Sequence, residues 1–196
     1  QKMINLLYIV LTAMLALNVS AEILNAFKTV NESIQHSNLS IDQKNAIIYE
    51  QFAKQMQQDP GKVGPLKAQA EQVKTQTSAV NAYIDSLKAR IITESGGLND
   101  SGEITKMDDL DAPSRIMENQ KKGPELKSKL EALRANLLAY FPANQRVAQE
   151  KVFPLKIEMP QHTKKKTWTE ANFDMVPSIA AVTILSKFQN DIKNSE

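Results

Sequence analysis

Residues 65–97 read PLKAQAEQVKTQTSAVNAYIDSLKARIITESGG. Leu66, Ala70, Val73, Thr77, Val80, Ile84, Leu87 and Ile91 recur at alternating steps of four and three. Only a helix keeps such positions on one face, here for about seven turns. Gly96-Gly97 supplies the stop, and Pro65 fits the first helical position. A face this long needs other helices to cover it, so the stretch predicts a bundle.

The neighbouring sequence supplies them. Ser40-Ile41-Asp42-Gln43 has the S-x-x-Q form of a capping box and predicts a helix to about Gln58, ended by Asp59-Pro60-Gly61. Gly123-Pro124 opens another, with Leu126, Leu130, Leu133, Leu137 and Tyr140 on one face, and Phe141-Pro142 closes it. Pro177 opens the last, with Ala181, Leu185, Phe188 and Ile192 aligned. Ser114 to Asn119 reads as a short helix. Phe153, Leu155, Ile157 and Met159 alternate between prolines 154 and 160, which predicts an edge strand in a minor β-hairpin. Six glycines and 6% aromatic residues argue against a β-sandwich.

The first helix differs. The 19 residues from Met3 to Ala21 carry no charge. As a helix they cover roughly 28 Å, about the hydrocarbon thickness of a bilayer. A cleaved signal peptide is the rival reading, with Val19-Ser20-Ala21 as its cleavage site. Against it, the apolar pattern continues past Ala21 into Ile23, Phe27, Val30 and Ile34. The expected fold is therefore all-α: a single amino-terminal transmembrane helix continuing into a periplasmic helical bundle. Residues 1–37 would form the anchor and its extension, and 38–196 the bundle. Lys2 places the amino terminus on the cytoplasmic side by the positive-inside tendency.

Within the span, Leu6, Ile9, Ala13, Ala16 and Ser20 fall on one stripe that runs on through Ile23 to Ile34. Ala16 and Ser20 form a small-xxx-small step, which lets helices approach closely in lipid. The stripe predicts a stiff helix that packs against a second copy or a partner. No ionisable residue lies inside the span, so any proton relay must use a partner's carboxylate.

Chemistry is scarce in the rest. Twenty-four basic against 22 acidic residues leave +2, which gives no electrostatic footprint for nucleic acid. With no cysteine there is no disulfide, thiol nucleophile or cysteine metal site. His36 and His162 have no carboxylate or serine at a catalytic spacing, and both read as surface histidines. The acidic loop at 96–113 lacks the residue order of an EF-hand, and Lys164-Lys165-Lys166 reads as a solvated tip. The expectation is no enzyme, no cofactor and no metal.

Residues Gln1 to Tyr8 and Val10 to Ser20 resemble the membrane anchor of the GldM/PorM family of gliding motility and type IX secretion. Trp168-Thr169-Glu170-Ala171-Asn172-Phe173, with Pro177 and the last amphipathic helix, is similar to that family's first periplasmic domain. The resemblance implies an inner-membrane homodimer whose paired spans sit inside a ring of a small two-span partner, GldL/PorL. That complex would convert the proton gradient into motion. Further β-rich periplasmic domains, through which members reach periplasmic and outer-membrane secretion components, have no counterpart here, so the resemblance implies an amino-terminal portion. Lys2, Asn5, Tyr8 and Thr12 are then the candidates for partner contact in the anchor. Ala13, Ala16 and Ser20 belong to its packing face, and Ile23, Phe27, Val30 and Ile34 to a shaft or dimer stripe outside it. A single-span sensor ectodomain and a passive envelope tether are the competing readings.

Overall fold

The computed structural model describes residues 2–17, 20–161 and 163–196. The chain forms helices α1 (Lys2–Leu17), α2 (Ala21–Gln58), α3 (Pro60–Glu94), α4 (Asp111–Ser114), α5 (Lys122–Ala139), α6 (Ala143–Val152), α7 (Trp168–Phe173) and α8 (Ser178–Ser195). A π-helical turn, Arg115–Asn119, links α4 to α5 where a short regular helix was expected. Among the described residues there is no strand, only an isolated antiparallel bridge between Leu98 and Ile104.

The core lies where the periodicity places it. Ile84, Leu87 and Ile91 of α3 meet Leu126, Leu130, Leu133 and Leu137 of α5 and Ile179, Leu185, Phe188 and Ile192 of α8. Trp168 and Phe173 of α7 close it, and Trp168 lies 5.5 Å from Phe188 between ring centroids. The α3 stripe grades outward: Thr77 is fully buried, while Leu66 near the start is 55% exposed.

Several local expectations are corrected. The helix of the anchor does not run unbroken into the bundle. α1 stops at Leu17, and Ser20 has extended backbone and caps α2, its Oγ accepting from Ile23 N at 3.5 Å. Asn18 and Val19 lie outside the described residues. α2 is continuous through Ser40, whose Oγ donates back to His36 O at 3.1 Å instead of capping a new helix. Asp59 serves as C-cap of α2 and N-cap of α3, with its Oδ1 accepting from Lys62 N at 3.2 Å. The helix starts at Pro60, so Pro65 falls inside it and costs one backbone hydrogen bond.

The expected hairpin at 153–160 is an extended strap. Phe153 and Leu155 point inward and are buried, as the alternation requires. Pro154 and Pro160 lack the N–H groups that a ladder needs. Arg134 takes the role of a partner strand: its Nε donates to Leu155 O and its Nη2 to Glu150 O, both at 3.1 Å.

Among the described residues no helix is long and apolar enough to cross a membrane; α1 covers 16 residues.

Candidate interaction surface: the two faces of helix α2

α2 has an inner face toward α8 and an outer face toward solvent. The inner face is polar. Of its 38 residues only Asn31 and Asn38 are buried, each with 8% of its surface left exposed. Ser186 Oγ donates to Asn31 Oδ1 at 2.8 Å, and Asn38 Nδ2 donates to Ser186 O at 3.4 Å. Asn190 Nδ2 donates to Asn38 Oδ1 at 2.9 Å, and Asn45 Nδ2 to Lys193 O at 3.1 Å. Thr183 Oγ1 reaches Phe27 O at 3.3 Å at one end, and Tyr49 OH reaches Glu196 Oε1 at 2.8 Å at the other. Burial and the Glu196 carboxylate hold the Tyr49 phenol above its ordinary range. Asn31, Asn38 and Asn45 are seven residues apart, so all three stay on one side of the helix. Sequence reading followed the apolar stripe and passed over this one; the heptad spacing of asparagine was its only signal.

The residues expected as a shaft stripe divide between exposed and half-buried positions. Ile23 and Val30 are 50% and 49% exposed, and Ile34 is half-buried. Phe27 turns inward and packs with Leu24 against the core. Ile34 and Ile41, both half-buried, alternate at steps of three and four with Asn31, Asn38 and Asn45 and so border the inner face, while Ile48 is 50% exposed. In the anchor, Asn5 and Tyr8 are exposed on α1, and Ser20 is the exposed cap of α2. The side chains of Lys2, Thr12, Ala13 and Ala16 lie outside the description, as does His162.

Charged groups pair within the bundle. Lys28 of α2 reaches Glu103 in the loop 96–110, and each holds the other charged: the lysine is raised and the carboxyl lowered. Asp109 Oδ1, in the same loop, accepts from Asp111 N at 2.8 Å and Ala112 N at 3.2 Å to start α4. Among the described residues no group of three His, Asp or Glu side chains is placed to hold a metal ion. Lys165 pairs with Asp174, while Lys164 and Lys166 stay exposed. His36 sits on the exposed side of α2. A cleft of about 510 Å³ between α5, α6 and the strap is lined by Arg134, Glu150, Lys156 and Ile157, but its arginine is already held by Glu150 and by backbone. These arrangements bind helix to helix and loop to helix.

Residues 22–196 match the family model of the GldM N-terminal domain. The chain belongs to the GldM family. No curated protein matches it. GldM-family proteins are gliding-motility and type IX secretion components, generally associated with the inner membrane and with other proteins of those systems. They are structural components and not known enzymes.

In this GldM-family domain the segment Trp168–Phe173 is α7, and its residues divide the work of a structural clasp. Thr167 and Glu170 form a reciprocal capping box: Glu170 N donates to Thr167 Oγ1 at 3.1 Å, and Thr167 N to Glu170 Oε2 at 3.2 Å. Trp168 and Phe173 enter the core, and Asn172 Nδ2 donates to Trp168 O at 2.7 Å. Thr169 packs onto Gly123 at the start of α5. Two residues beside the clasp, Lys121 and Met175, take the left-handed conformation at φ 61° and 57°. Met175 is held there by its N–H donating to Ser114 Oγ at 2.9 Å.

Proposed function

We propose that this chain is the inner-membrane component of a proton-gradient-driven motor that powers type IX secretion and gliding motility. It forms a homodimer. The uncharged stretch from Met3 to Ala21 is the single membrane span, with the amino terminus in the cytoplasm and the bundle in the periplasm. The paired spans sit within a ring of a small two-span partner of the GldL/PorL kind. Lys2, Asn5, Tyr8 and Thr12 contact that ring, and Ala13, Ala16 and Ser20 pack the two anchors together. Since the span has no ionisable side chain, the partner supplies the titrating carboxylate. The family's place in gliding and secretion supports the system; the charge-free span supports the division of labour.

The observation that carries the reading is the outer face of α2. It begins directly after the uncharged stretch and exposes Ile23 and Val30, one heptad apart, with Ile48 about half exposed 18 residues further on. A helix that turns Leu24, Phe27 and its asparagines inward yet leaves Ile23, Val30 and Ile48 half exposed is suited to a second helix on that side.

The test is native mass spectrometry of the tagged, intact protein taken from its own membrane in mild detergent. Two copies with several copies of a small two-span protein bearing a membrane carboxylate are expected. A monomer, or a dimer with cytoplasmic signalling proteins in a detergent that preserves the ring, overturns the motor in favour of a sensor. Motion that persists after the proton gradient is collapsed leaves only a tether.

A further inference from the structure

The two sides of α8 are built from different materials. Toward α3, α5 and α7 it buries Ile179, Leu185, Phe188 and Ile192. Toward α2 it offers Thr183, Ser186, Asn190 and Lys193, and α2 answers with a backbone carbonyl, asparagines and Asp42. Apolar surface cannot leave its partner without a penalty proportional to the area exposed. Hydrogen-bonding groups leave with little net loss, because water replaces each partner. Separating α2 from α8 is therefore far easier than separating α8 from α3.

The ends of α2 are unequal. Its far end turns directly into α3 at Asp59, with no loop between, so that end is a pivot. Its near end is held by Leu24 and Phe27 against the core and by the Lys28–Glu103 pair across 75 residues of sequence. Between the pivot and the seam lies a polar slot of about 390 Å³, lined by Asp42, Tyr49, Lys74, Asp85 and Lys193, which is roomy and polar enough to be wet.

We propose that α2 is a detachable lever: it opens from α8 as a unit, pivoting at Asp59 with Leu24, Phe27 and the Lys28–Glu103 pair as its latch, while the α3–α5–α8 core stays folded. This holds whether or not the motor reading above is correct, since it rests on the seam alone. A force applied at Ala21 would act first on the latch and then on the asparagine ladder.

Hydrogen exchange on the unmodified chain across a series of low urea concentrations tests it. Once off α8, α2 has lost its tertiary support and its helix frays, so amides of residues 24–49 should exchange through an opening with weak urea dependence, on the order of 100-fold or more faster than amides of residues 84–91, which wait for global unfolding. If both sets fall on one line with the global slope, there is no separate opening and the proposal fails. A second readout uses the absence of cysteine. A thiol at Asn38→Cys should react with a soluble thiol reagent faster than one at Ala181→Cys, and Glu103→Gln should speed only the first. Equal rates, or equal acceleration of both, would overturn the lever.

Discussion

Gly123 and Thr169 meet at a distance that admits no side chain: a Cβ on the glycine would lie 2.0 Å from Thr169 Cγ2 and 3.0 Å from Met117 O. This contact sets the depth at which α5 enters against α7 and the π-helical turn. Gly123→Ala should therefore destabilise the domain by about 3 kcal/mol, at the upper end of overpacking effects. Thr169→Ala in the same chain should restore part of the loss, because it removes both nearest atoms. Urea unfolding followed by the single tryptophan, Trp168, measures both. Simple additivity of the two changes would mean that the close approach is relieved elsewhere.

The capping box on α7 gives a smaller and separate effect. Thr167→Ala removes the acceptor for Glu170 N and leaves an end of a six-residue helix open. The expected cost is about 1 kcal/mol. Trp168 is the first residue of that helix and is buried, so its emission should shift red before the rest of the domain unfolds. Emission and far-ultraviolet dichroism that change together would show α7 and the bundle to be one cooperative unit.

How much of this could be read from the sequence depended on what each helix buries. α3, α5 and α8 bury aliphatic residues at steps of three and four, and their helices and inner faces were legible. α2 buries Asn31 and Asn38, so an apolar reading of it finds Ile23 and Val30, which are about half exposed, half-buried Ile34, and Phe27, which packs against the core. At the strap, alternation located Phe153 and Leu155 correctly in the core but not the backbone, because Arg134 supplies the bonds that a strand would. The Gly123–Thr169 approach joins residues far apart in the chain, and a lone glycine beside a proline reads locally only as a helix start.

Asp191 gives a pH signature. Its carboxyl is raised above the ordinary value by burial, an effect that the hydrogen bond from Lys187 at 2.6 Å only partly offsets. A raised folded-state value means that the neutral acid is favoured by folding. That contribution is fully present below the unfolded-state value and is lost as pH rises through the folded one. Asp191→Asn carries no charge to desolvate. The stability of this variant relative to the parent should thus improve from about pH 4 upward and level off once the pH has passed the folded-state value. Urea midpoints of both proteins at acid and neutral pH give the comparison. A difference independent of pH would mean that Lys187 fully compensates the burial.

The asparagine ladder predicts a loss without a cavity. Asn38→Ala removes the acceptor for Asn190 Nδ2 and the donor to Ser186 O. The cost should be about 1–2 kcal/mol, as for buried polar groups left without partners. Asn38→Ala with Asn190→Ala should cost less than the sum of the two single changes, because no orphaned amide then faces the seam. Thermal and urea unfolding of the four chains complete the cycle. A sum equal to the parts would show that water already satisfies both amides in the parent.

The outer face of α2 provides the last prediction. Val30 and Ile48 are about half exposed, and neither belongs to the core cluster. Val30→Glu with Ile48→Glu should change the stability of the isolated fold by no more than about 0.5 kcal/mol per site, as expected for surface positions. If this line is the seam between two copies, four like charges brought together there should split the dimer. Leu66→Glu is the control, since Leu66 is equally exposed but lies on α3, off the line. Native mass spectrometry of the intact protein should show monomers for the double variant and dimers for the control. Dimers in both would leave pairing to the anchors alone, and the apolar line on α2 would then face a different protein.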